Sequence, residues 1–190
     1  VGEIVLSYPL LGAQHILEGI DHLLFVFGLL LLVGGGSRLF WTITAFTLGH
    51  SVTLALVTLE IVVFPSDLAE LVIALSIFLL ALELSRKENP GFLWKNPWWL
   101  AGGFGLLHGM GFAGALAETG LPQNQVPLAL LFFNLGIEIG QLLFIAAVYL
   151  VWFLSRSMMP DNLLFRKIPV YIMGGLSAMW CIQRGMELIY

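Results

Sequence analysis

Long apolar runs separated by short polar breaks organise the whole chain. Crossing about 30 Å of hydrocarbon takes roughly 20 apolar residues in a helix, and several runs reach that length without the period-two alternation of barrel strands. The pattern predicts six membrane-spanning helices, at residues 11–34, 39–64, 67–85, 97–118, 126–154 and 168–189. Between them lie GGGSR at 34–38, Pro65-Ser66-Asp67, the run SRKENPG with Lys95-Asn96-Pro97, the segment TGLPQNQVP, and SRSMMPDN, all turn-forming compositions. The expected fold is an all-α polytopic membrane helical bundle, a single transmembrane domain over residues 1–190.

Composition agrees with the pattern. Of the 190 residues 59% are hydrophobic and 11% charged, too little polar surface for a soluble domain of this size. Mean hydropathy is +0.95. Cys181 is the single cysteine, which excludes an intrachain disulfide and thiolate metal clusters. No phosphate-binding GxxxxGK[ST] loop and no basic nucleic-acid patch is present, so nucleotide hydrolysis and nucleic-acid partners are not expected.

The basic residues set an orientation, because Lys and Arg are retained on the cytoplasmic side during insertion. Arg38 lies in the first connection, Arg86, Lys87 and Lys95 in the third, and Arg156, Arg166 and Lys167 in the fifth. Both termini are therefore expected outside the cytoplasm, with Arg184 left over near the outer end of the last helix. A start at Val1 in that location suggests a removed signal peptide or upstream segment.

Against this apolar background the ionisable residues stand out. His15, Glu18, Asp21 and His22 fall in the first span, where an Asp, Lys or Arg at mid-membrane costs roughly 2.5 to 3.5 kcal/mol. In a continuous helix these four occupy an arc of about 120°. His50 in the second span, His108 in the fourth and Glu138 in the fifth fall at a depth similar to that of Asp21 and His22, so five residues from four helices can meet at the midplane. Asn134, Glu138 and Gln141 form one stripe on the fifth helix, and Thr47, Ser51 and Thr53 surround His50 as candidate partners that fix its tautomer. With no Lys or Arg expected at that depth, Asp21 needs a cation. A purely structural role remains open for each histidine taken singly, since a membrane imidazole also bridges helices by hydrogen bonds.

Imidazole plus carboxylate suits borderline divalent ions such as Ni²⁺, Co²⁺ and Zn²⁺ better than Ca²⁺ or Mg²⁺. The expected metal ligands are Asp21, His22, His50, His108 and Glu138, with His15 and Glu18 as entrance groups or further ligands and Asn134, Gln141, Thr47 and Ser51 behind them. Proton competition for the imidazoles is expected to weaken binding below about pH 6.

The segments HILEGIDHLLF, TAFTLGHSVTLAL, FGLLHGMGFAGAL and FNLGIEIGQLLF, in this order, resemble the HupE/UreJ family of bacterial hydrogenase- and urease-accessory membrane proteins. The resemblance covers almost the whole chain. It implies a nickel or cobalt permease or metal-supply role in the bacterial inner membrane, and it maps the family's first-helix histidine-and-aspartate motif onto His15, Asp21 and His22. Ile16 stands where the family commonly has proline, and the chain looks closer to the second branch of the family.

The function expected from these readings is uptake of a divalent transition metal, with the lipid bilayer and a metallocentre-assembly or other membrane protein as partners. Two alternatives stay open: an intramembrane zinc-dependent hydrolase, disfavoured by the lack of HExxH and of a serine-histidine dyad at a recognisable spacing, and a metal-binding chaperone or sensor without transport. One feature weighs against uptake. Inward of the polar cluster the first helix continues as LLFVFGLLLLVG, leaving Thr42 and Thr44 as the only polar candidates for an inner path.

Overall fold

A computed structural model describes residues 2–86, 92–118, 125–157 and 163–189. These residues are helical almost throughout and contain no strand. The helices are α1 (Gly2–Glu18), α2 (Ile20–Val33), α3 (Ser37–Thr58), α4 (Ser66–Ser85), the single turn α5 (Phe92–Lys95), α6 (Pro97–Glu118), α7 (Val126–Ser155) and α8 (Leu163–Glu187). The sequence turns at 87–91, 119–124 and 158–162 lie outside the described residues.

Three of the described helices, α3, α4 and α7, are long and apolar enough to cross a membrane, and α1 with α2 forms a fourth when the bent pair is counted as one span. Large apolar side chains cover the outside of α7, where Leu131, Leu143, Leu150, Trp152, Phe153 and Leu154 are exposed. The inside holds His22, Thr42, Thr47, His50, Ser76, His108, Asn134, Gln141 and Ser177. These polar groups sit within a mainly apolar core, and the broad exposed apolar surface is what a helix bundle in lipid presents.

The first span differs from the sequence expectation. Instead of one helix over 11–34, helicity begins at Gly2 and breaks at Gly19, whose φ of −76° and ψ of 94° are extended, and α1 and α2 meet at 78°. Glycine, with no β-carbon and a poor helix propensity, is where such a break costs least. A β-carbon there would also stand 2.8 Å from the His22 ring, so glycine at this position leaves room for that imidazole.

Two contacts between helices repeat in a second place. Gly12 of α1 sits so close to the backbone of Phe133 and Ile137 in α7 that a β-carbon would overlap it, and Gly105 of α6 sits in the same way on Phe46 and His50 in α3. Likewise Gly136 rests on the Pro9 carbonyl and Gly49 on the Gly102 carbonyl. The register is constant: Pro9, Gly12 and His15 correspond to Gly102, Gly105 and His108, and Phe46, Gly49 and His50 to Phe133, Gly136 and Ile137. Counterpart helices run in opposite directions. The Tyr149 hydroxyl donates to the Gly34 carbonyl just before α3, whereas Glu138, nearer the start of α7, meets Thr44 further along α3. Arg184 near the end of α8 meets Glu70 near the start of α4, and Gly174, midway along α8, meets Ala81 near the end of α4. The molecule is thus built from two inverted halves, an arrangement that in membrane transporters places the binding site where the halves meet.

Candidate metal centre

All four histidines of the chain come together at that junction. The His15 and His22 ring centres are 4.8 Å apart, His22 and His108 5.1 Å, and His50 lies 6.2 Å from both His15 and His22. The break at Gly19 makes this possible, because it turns the start of α2 across the end of α1. His15 and His108, counterparts in the two halves, each face the counterpart phenylalanine: His15 is 5.8 Å from Phe133 and His108 is 5.1 Å from Phe46. Phe25 adds a further ring 5.0 Å from His108, so the cluster rests on an apolar aromatic floor.

The hydrogen bonds assign which ring nitrogens are free. His22 Nδ1 stands 2.9 Å from Asp21 Oδ1, and since a carboxylate only accepts, the ring donates from Nδ1 and keeps a lone pair on Nε2. That buried Nε2 has no hydrogen-bond partner among the described residues. The Ser76 hydroxyl donates to the Ile73 carbonyl at 2.7 Å, so toward His108 Nε2, 2.9 Å away, it acts as acceptor. His108 therefore keeps its lone pair on Nδ1, also buried and partnerless. His50 is fully buried, and neither of its nitrogens has a hydrogen-bond partner among the described residues. Buried polar atoms are nearly always satisfied, and imidazoles that ligate metals characteristically donate their other N–H to a carboxylate or comparable acceptor. His22 on Asp21 and His108 on Ser76 have that arrangement.

Two imidazoles on one ion at about 2.0 to 2.1 Å from nitrogen place their ring centres roughly 5 Å apart. The His15–His22 and His22–His108 spacings match this, although as the side chains stand no set of three His, Cys, Asp or Glu among the described residues has metal-holding geometry.

Several expected site residues lie elsewhere. Glu18 is exposed and accepts from Gln14 at 2.8 Å, so the continuous-helix arc with His15, Asp21 and His22 does not exist. Glu138 and Gln141 accept from Thr44 and Thr47, at 2.7 and 3.0 Å, one to two turns along α3 from His50. Asn134 donates to the Leu130 carbonyl of its own helix. The expected support of His50 by its neighbours is absent: Ser51 donates to the Thr47 carbonyl and Thr53 to the Gly49 and His50 carbonyls. Hydroxyls in a helix deprived of water turn back to their own backbone.

Two residues that meet the cluster, Ser76 and Arg184, were not expected at it from the sequence. Ser76 sits among apolar residues of α4 with no spacing that ties it to His108. Arg184 overturns the expectation that no cation reaches Asp21: its Nη2 is 3.8 Å from Asp21 Oδ2. A long side chain carries its charge far from its Cα, and the bend at Gly19 sets where Asp21 lies, so depth counted along straight helices missed the pair. A doubled pattern in the sequence, GAQH with FTLG and GLLH with FNLG, marks the two repeated helix contacts but points to neither Ser76 nor Arg184.

The sequence model of the family described as HupE / UreJ protein matches residues 1–184. No curated protein and no solved structure matches the chain.

Proposed function

The chain belongs to the HupE/UreJ family, and from that premise we propose that it takes up a divalent transition metal, Ni²⁺, Co²⁺ or Zn²⁺, across the bacterial inner membrane. The convergence of all four histidines at the junction of two inverted halves carries this reading. His22, His50 and His108 offer unpartnered nitrogens, His15 stands within the same ring cluster, and Asp21 supplies the negative charge. In this reading α6 and α8 also span the bilayer, giving six crossings with both termini outside, as the basic residues at Arg38, at Arg86, Lys87 and Lys95, and at Arg156, Arg166 and Lys167 favour.

Glu138 takes a different part from a ligand beside the imidazoles. With Thr44, Thr47 and Gln141 it forms a polar track on the α3 side, in the direction in which the sequence leaves only Thr42 and Thr44 as inner polar groups. The ion is cargo rather than a resident cofactor, and a membrane potential of about 100 mV, negative inside, favours entry of two charges by roughly 4.6 kcal/mol. The hydrolase alternative gains a Ser76–His108 pair, but the hydroxyl proton is directed to the Ile73 carbonyl, not to the imidazole, so Ser76 is not activated as a nucleophile.

Uptake of Ni²⁺ and Co²⁺ into proteoliposomes carrying the purified protein tests the proposal. Native protein is expected to accumulate metal faster with an inside-negative potential, and His22→Ala and Asp21→Asn to lose most of that flux. Tight binding with uptake no better than empty vesicles would leave a binding protein without transport.

A further inference from the structure

Arg184 does more than neutralise Asp21. Its Nη2 is 3.8 Å from Asp21 Oδ2, its Nε is 3.3 Å from Glu70 Oε2, and its Nη1 donates to the Glu70 backbone carbonyl at 2.8 Å. The guanidinium carbon also lies 5.7 Å from the centre of the Trp180 ring. Asp21 uses its two oxygens differently. Oδ1 is taken by the His22 backbone N–H and ring, at 2.8 and 2.9 Å, while Oδ2 faces Arg184. The oxygen left for an incoming cation is therefore the one a protein cation already covers. The two carboxylates also differ in exposure: Asp21 is 20% exposed and Glu70 52%.

Resting on the metal-binding reading above, we propose that Arg184 is a built-in substitute cation that sets the affinity and charge selectivity of the site, covering Asp21 Oδ2 until a divalent ion displaces it toward Glu70. The shorter contacts to Glu70 supply the pivot and the destination. Withdrawal keeps the Nη1 bond to the Glu70 carbonyl and replaces the more buried carboxylate by a more solvated one. A monovalent ion gains little, because at Asp21 it brings no more charge than Arg184 already does. A divalent ion gains the additional charge, so the exchange selects for it. Arg184 touches no ion in the bound form; it acts through Asp21, as a positioning residue.

Removal of the two bridge partners is expected to act with opposite signs. Arg184→Gln is expected to tighten Ni²⁺ binding by about tenfold or more, since one unit charge acting on a divalent ion across several ångströms is removed. Glu70→Gln is expected to weaken it, because Arg184 loses its place of withdrawal. The double variant is expected to match Arg184→Gln alone, since Glu70 acts through Arg184. Arg184→Lys keeps the charge and is expected to stay within about threefold of native, which separates repulsion from packing. The measurement is Ni²⁺ titration of the purified full chain by calorimetry, with melting temperature read alongside. Weaker or unchanged binding in a folded Arg184→Gln variant, or a Glu70→Gln defect that persists when Arg184 is gone, overturns the proposal while leaving the metal site standing. Should Arg184→Gln fail to fold, an Arg184→Lys variant that binds much more tightly or more weakly than native overturns it instead. If native protein binds no Ni²⁺, the metal-binding reading falls first and takes this one with it.

Discussion

At the scale of single residues, the proposed site rests on which ring nitrogen His22 and His108 leave unpartnered among the described residues. Asp21 fixes His22 and Ser76 fixes His108, each by holding one ring nitrogen and leaving the other inside the cluster without a partner. Ser76→Ala should therefore reduce metal affinity without removing a ligand, because His108 loses the bond that sets its tautomer and ring orientation. Loss of an outer-shell partner of this kind commonly costs 10- to 100-fold in metal affinity. Ni²⁺ titration of the variant checks it, and an affinity equal to native would mean that Ser76 only fills space. The histidines were legible in the sequence as charges and donors out of place in an apolar run. Their individual partners were not, because Ser76 and Arg184 reach the cluster from α4 and α8 through contacts distant in sequence.

At the scale of elements, glycine decides how closely the helices approach. A β-carbon at Gly12 would overlap the Phe133 carbonyl, and one at Gly105 the Phe46 carbonyl, whereas at Gly103 nothing lies within 4 Å. Overpacking costs about 1 to 3 kcal/mol where side chains can shift, and here the obstacle is backbone. Gly12→Ala and Gly105→Ala are expected to lower thermal stability in detergent by at least that much, with Gly103→Ala close to native. Equal melting temperatures for all three would show that the α1–α7 and α3–α6 contacts are looser than described. Turn chemistry marked the starts of α4, α6 and α7 at Ser66, Pro97 and Val126, where apolar runs resume after proline and polar residues. It did not mark the break at Gly19, because a single glycine in an apolar stretch is as compatible with close packing as with a bend.

At the scale of the whole molecule, the two inverted halves explain why histidines distant in sequence share one place. Pro9, Gly12 and His15 are repeated as Gly102, Gly105 and His108, so the same packing that brings α1 onto α7 brings α6 onto α3, and the His15 and His108 rings lie 4.8 and 5.1 Å from that of His22. The halves are not identical: His50 has Ile137 as its counterpart, and Asp21 and His22 belong to the first half alone. Such asymmetry gives the site one charged wall, closed by Arg184, and one imidazole wall, resting on Phe46 and Phe25. The central claim, that these imidazoles close on one ion, is tested most directly by X-ray absorption spectroscopy of the purified protein loaded with one equivalent of Ni²⁺. The account predicts at least two imidazole ligands per nickel, reduced in count by His22→Ala and by His108→Ala. A shell of oxygen alone, unchanged in both variants, would contradict it.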